Sequence, residues 1–211
     1  MPYNHGKDVE EKILDAAFSI FLQKGKAGTK MQEIADKAGV NKALLHYYYR
    51  SKDNLYRTVV KQVVEKFILS LIKDLDLSLS FKEILKDFIF NHIGFIRENK
   101  QVLQFFMGEM WMNSTEVMHK FQEAMKIQDK SAFVIIMNRI EKAIEDKEIK
   151  EGDPFNLLVN ILSLDIFFFV LSPMFFLMAD YDEGKQEQIV QSREEEVFNF
   201  VWESIRLRKE K

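Results

Sequence analysis

Apolar residues recur three and four positions apart along most of this 211-residue chain, the spacing that lines one face of an α-helix. In "DVEEKILDAAFSIFLQKG", Ile13, Ala16, Ala17, Ile20 and Phe21 form such a stripe, and Gly25 stands where a helix commonly stops. Eight glycines and three prolines are few for this length, so the elements should be long. No segment reads as a strand, and no internal repeat is visible. With 47% hydrophobic residues a sizeable core is available. The expected fold class is all-α, with about nine helices.

Punctuation divides the pattern. Thr29 and Gln32 have capping-box spacing before the small apolar face of Ile34, Ala35 and Ala38, which Gly39 ends. Asn41 can cap a third helix from Lys42, and Ser51 a fourth that runs to about Leu75. Ser80 and Glu83 repeat the capping box before "FKEILKDFIFNHIGFI". A short helix covers "QVLQFFMGEMWM", and a long amphipathic one is expected from Thr115 to about Lys147. Asp153 and Pro154 open a very apolar helix that Pro173 should terminate or kink. Residues 183 to 209 read as one last charged helix with Ile189, Val190, Val197, Phe198, Val201 and Ile205 buried. The run "ILSLDIFFFVLSPMFFLMA" approaches a membrane span in length. Asp165, Pro173, Asn156 and Asn160, and the lack of a flanking basic cluster, favour a protein or subunit core, so no membrane partner is expected.

Charge and chemistry narrow the function. The formal net charge of −3 conceals a balance of +4 over residues 1 to 66 and −7 over the remainder, which suits a basic segment meeting a polyanion. Without cysteine there is no disulfide framework and no thiolate metal site. The start, "MPYNHGKDVEEK", lacks the order of a signal peptide, so a cytoplasmic location is expected. No glycine-rich phosphate loop, HExxH motif or serine elbow is present. Glu116 and His119 make a single Glu-x-x-His, which a di-iron bundle would need twice. No enzyme activity, cofactor or metal is expected.

Residues 30 to 49 form two short helices joined by "AGVN", the length and punctuation of a helix-turn-helix, whose second helix enters the DNA major groove. On a helical wheel for 42 to 49, Leu45 and Tyr49 share one side. Lys42, Ala43, His46 and Tyr47 spread over the other, and Tyr48 lies on the boundary. Lys42 can donate to guanine, His46 can donate or accept, and Ala43 or Tyr47 can meet a thymine methyl. Tyr48 can reach a phosphate, while Thr29, Lys30 and Lys52 offer hydroxyl, backbone N–H and charge to others.

The stretch "ILDAAFSIFLQKG" with "GTKMQEIADKAGVNKALLHYYYRSKDNLY" resembles the DNA-binding region of the TetR family of transcriptional regulators. The likeness runs through Ile13, Ala16, Ala17, Phe21, Gly25, Thr29, Ile34, Ala35, Ala38, Gly39, Val40, Leu45, Tyr48, Tyr49, Lys52 and Leu55, over roughly 45 residues. Lys26, Leu44, His46 and Tyr49 depart from the family's usual residues. The resemblance implies a three-helix DNA-binding domain at residues 1–51. A larger helical ligand-binding and dimerisation domain would follow at 52–211, with the helix from 52 to about 75 linking both. It implies a homodimer through the last two helices, a palindromic double-stranded operator, and release by a small hydrophobic or amphipathic effector. Phe106, Met110, Trp111, Phe121, Met125 and Phe168 are the candidate pocket residues, with Asp165 as a polar anchor. The competing reading is a small-molecule carrier without a regulatory DNA role.

Overall fold

A computed structural model describes residues 5–72, 75–112 and 132–207, together with Thr115, His119 and Gln122. Ten α-helices and no strand lie among the described residues: α1 His5–Gly28, α2 Met31–Ala38, α3 Lys42–Tyr49, α4 Lys52–Ile72, α5 Phe81–Glu98, α6 Lys100–Met112, α7 Ala132–Glu145, α8 Pro154–Met178, α9 Glu183–Gln191 and α10 Arg193–Ile205. The chain divides into two compact units. The first runs to Lys66 and takes in a second stretch that begins at Gln104; the second begins at Phe67. By packing, the division therefore falls within α4.

In the first unit the apolar stripe of α1 is buried as its spacing requires, with Ile13 and Ala17 fully enclosed. Gly25 takes φ 65, a left-handed conformation that favours glycine, and it breaks the α1 helix there. The side chains of α1 close over Ile34 and Ala35 of α2, Leu45 and Tyr49 of α3, and Leu55, Tyr56 and Val59 of α4, all buried. Tyr56 meets Phe21 edge-on at 5.0 Å, and Phe105 of α6 lies 5.4 Å from Phe18 and 6.4 Å from Tyr56.

The second unit packs α5, α7, α8 and α10 around Leu85, Phe88, Ile89, Ile140, Ile161 and Val197. Ser80 caps α5 reciprocally with Glu83, Asp153 Oδ2 accepts from Asn156 N at 2.8 Å, and Asn41 and Ser51 cap their helices as expected. Near its C-terminus the chain returns along residues 149–150, where Lys150 N donates to Ile205 O at 2.8 Å.

Three local expectations are corrected. The N-cap of α2 is Lys30, one residue later than Thr29, because Glu33 Oε2 accepts from Lys30 N. Of the two outcomes expected at Pro173, termination does not occur: α8 continues to Met178 with the proline ring exposed. A proline removes one N–H donor, and the helix tolerates that loss here. The last helix is two helices, α9 and α10. They part at Ser192, whose hydroxyl donates to Ile189 O at 3.2 Å and competes with the helical ladder.

Candidate functional site

The outer face of α3 is the most strongly patterned surface of the first unit. Asn41 starts the helix by accepting from Leu44 N at 2.7 Å. Leu45 and Tyr49, four residues apart, are buried against the domain, so the rest of the helix turns outward. Lys42, Ala43 and His46 are exposed, Tyr47 is 80% exposed, and Tyr48 is half-buried with its ring edge-on to Tyr47 at 5.7 Å. Tyr49 brings its hydroxyl to 3.4 Å from Glu10 Oε1, and burial, aided by that carboxylate, pushes its pKa far above the usual tyrosine value. This ring is a neutral anchor.

His46 has a defined tautomer. Its Nδ1 lies 3.0 Å from Arg50 O, and a carbonyl can only accept, so Nδ1 carries the proton and donates. In the neutral ring Nε2 is then an acceptor. Arg50 makes this contact from a positive φ of 60°, just past the end of the helix.

Two residues expected at phosphates are engaged internally instead. Thr29 is buried, and its hydroxyl donates to Gly25 O at 2.7 Å. Lys52 Nζ donates to Thr29 O at 2.9 Å and more weakly to Ala27 O at 3.4 Å. Carbonyls at the end of a helix lack intrahelical partners, and an ammonium group there is favourable. The pair therefore ties the α1–α2 turn to the start of α4. Lys30 is exposed, and beside it Glu33 is held below its usual pKa, first by the Lys24 ammonium at 2.8 Å and then by Lys30 N–H.

The expected pocket residues are divided between the two units. Phe106 is buried and Met110 half-buried in the first unit, whereas Trp111 is 83% exposed. Phe121 and Met125 lie outside the described residues. Asp165 and Phe168 belong to the second unit. Phe168 is half-buried under the Arg193 guanidinium, 4.5 Å from its ring, and both line an open cavity of about 270 Å³ with Leu164, Phe167, Ser172 and Phe176. Asn160 is exposed. Asp165 is completely buried and pairs with His92 of α5: its Oδ2 lies 2.8 Å from His92 Nδ1. The signal was available. His92 sits one turn after Phe88 on the buried stripe of α5, and a carboxylate inside an apolar helix needs a partner.

The family model described as "Bacterial regulatory proteins, tetR family" matches residues 13–59, which span α1 through the first turns of α4. Over that segment the chain matches the TetR family. It is 28% identical over 154 residues to the biofilm operon icaADBC negative transcriptional regulator IcaR of Staphylococcus epidermidis, covering 72% of this chain and 74% of that one. Against the transcriptional regulator RutR of Escherichia coli K12 it is 31% identical over 127 residues, 59% of each chain. Among solved structures, FadR of Bacillus subtilis in complex with stearoyl-CoA superposes with a TM-score of 0.66 at 20% identity, covering 91% and 97% of the two chains. A TetR-family regulator from Haemophilus influenzae gives 0.67 at 18%, covering 97% and 100%. These structural likenesses extend the TetR fold over both units. The relatives are named transcriptional regulators.

Departures from the TetR pattern have structural explanations. Lys26, where the family usually carries an aromatic or apolar residue, places its ammonium 5.0 Å over the Tyr56 ring and 3.3 Å from Asp53. Tyr49 replaces the usual phenylalanine and uses Glu10 for its hydroxyl. Leu44 is half-buried, and His46 is oriented by Arg50 on the exposed face.

Proposed function

We propose that this protein is a cytoplasmic, ligand-responsive repressor that binds a palindromic double-stranded operator as a homodimer and is released by a small apolar or amphipathic molecule. One observation carries the DNA reading: α3 buries Leu45 and Tyr49 and turns Lys42, Ala43, His46 and Tyr47 to solvent within the family-matched segment. Lys42, His46 and Tyr47 would meet base edges, and Tyr48 and Lys30 the phosphates. Thr29 and Lys52 hold the turn that aims α3.

Residues 1–51 would form the DNA-binding domain and 52–211 the ligand-binding and dimerisation domain. Helix α4 has residues in both compact units and would transmit the effector's differential affinity, typically ~1–3 kcal/mol, to α3. Dimerisation is supported by an apolar surface on α8 and α10, where Phe167, Phe175, Leu177 and Phe200 are between 49% and 83% exposed. The stearoyl-CoA complex of the B. subtilis neighbour is a precedent within the fold for a large amphipathic effector.

The test is to select bound fragments from the source genome and titrate them by fluorescence anisotropy at two salt concentrations. A repressor binds a small set of two-fold symmetric sites, and its log affinity falls linearly with log salt concentration. Absence of any enriched site, with salt-insensitive retention of apolar molecules, would make the protein a carrier.

A further inference from the structure

His92 and Asp165 are both completely buried and joined at 2.8 Å, yet each has an unused polar atom. Among the described residues four buried side-chain nitrogen or oxygen atoms lack a partner, and His92 Nε2 and Asp165 Oδ1 are two of them. An unsatisfied buried polar atom costs about 1–3 kcal/mol, so a pair that exists only to pack would be a poor solution. Apolar residues of similar size would serve the core better.

The surroundings suit an amphipathic molecule. Phe67 of α4 meets the His92 ring edge-on at 5.4 Å, and Phe88 lies tilted at 6.2 Å. One turn before each member of the pair, Phe88 on α5 and Ile161 on α8 line a common apolar cavity of about 30 Å³ with Leu85 and Ile140. That is room for the first carbons of an apolar body, which would reach the pair past Phe88 and Ile161, since neither His92 nor Asp165 lines the cavity itself.

We propose that the His92–Asp165 pair is the polar end of the effector site, and that it takes an uncharged amphipathic molecule whose head both donates and accepts a hydrogen bond. The ligand's acceptor faces His92 Nε2–H and its donor faces Asp165 Oδ1. This assignment rests on the ligand-responsive reading above and narrows it to a chemical class: alcohols, amides and lactams. Burial favours a proton on Asp165, opposed by His92 and by the Arg193 charge. With that extra proton on the pair, Nε2 is a donor and Oδ1 an acceptor, whichever side of the shared bond holds it. A charged head would carry the full cost of leaving water in this buried setting. Phe67 places the site against α4, the helix that has residues in both units.

The experiment compares octanol, octanamide, octanone, octylammonium and octane on the wild type and on the double variant His92→Leu/Asp165→Leu, by thermal shift and by release of a selected operator. Octanol and octanamide should stabilise the wild type and release DNA. The other three should act at least about tenfold more weakly, the loss of one buried hydrogen bond. The double variant should melt no lower than wild type, bind the same operator and ignore head-group chemistry. Equal response to all five probes, no response to any, or an unchanged response in the double variant would overturn the assignment. If the double variant does not fold, ¹⁵N-histidine NMR of the wild type decides. Octanol should move the His92 Nε2 resonance and octane should not; identical spectra would refute the proposal. Failure of the wild type to bind any operator would instead remove the repressor reading, and the thermal shift would still report on the pair.

Discussion

Lys52 is the residue whose role can be decided most cleanly. A phosphate contact and a structural clamp predict opposite signatures on replacement by methionine, which keeps the apolar stem and removes the ammonium. Lys52 Nζ donates to Thr29 O at 2.9 Å and to Ala27 O at 3.4 Å. A hydrogen bond from a charged group contributes about 1.5–3 kcal/mol when well buried. Lys52 is only partly buried and the second bond is long, which brings the expected loss to about 1 kcal/mol. For a chain of this size that lowers Tm by about 2–4 °C. The slope of log affinity against log salt should stay at its wild-type value, because no phosphate contact is lost. Lys42→Met is the control: its side chain is exposed, so Tm should hold while operator affinity falls. An unchanged Tm for Lys52→Met, with a salt slope reduced by about one per subunit, would show that the ammonium leaves the turn for the DNA backbone and refute the clamp.

Tyr47→Ala should leave Tm unchanged, since the ring is 80% exposed, and should cost about 1–3 kcal/mol on the preferred operator but little on a non-specific duplex; competition binding separates the two. Asp165 has a folded pKa above its unfolded one, so its protonation contributes stability that is full below the unfolded value, about 4, and is lost as pH rises toward the folded value. Asp165→Asn should flatten that decline in a Tm-against-pH series; a series that still falls identically would place its origin elsewhere. Phe175→Glu, on the exposed face of α8, should shift the protein toward monomer in sedimentation velocity and weaken operator binding, with the thermal unfolding of each monomer retained. Unchanged dimer mass would exclude that face from the interface.

The segment read as DNA-binding was legible because its helices are short and punctuated. Asn41 and Ser51 each mark a helix start, and the eight-residue helix of mixed polarity between them has few ways to orient. Thr29 misled because threonine both caps helices and satisfies a buried carbonyl, and only packing decides between the two. Trp111 misled for a related reason. A tryptophan in an aromatic, methionine-rich helix reads as pocket or core, but exposure belongs to the tertiary arrangement and not to the local sequence. The break at Ser192 carries no glycine or proline to announce it. His92 was hidden by being single: one histidine on an apolar stripe shows its purpose only once Asp165, 73 residues away, is beside it.

Helix α8 explains why the second unit was harder to read. Its 25 residues have mean hydropathy high enough for a membrane span, so hydropathy alone cannot say which side is inside. The structure resolves the ambiguity in an inverted way. The one carboxylate, Asp165, is fully buried, and Phe155, Phe167, Met174, Phe175 and Leu177 are among the exposed residues. Only 17% of its most apolar window is buried within the chain. A helix facing lipid would gain from the same outer surface, but it would not be expected to break its apolar run with Asn156, Asn160 and Ser163, all exposed. A second copy of α8 and α10 can cover phenylalanines and accept those polar groups at its rim. On this reading the inner face of α8 serves the effector through Asp165, and its outer face serves the dimer. Ligand chemistry and subunit geometry would then meet on one helix.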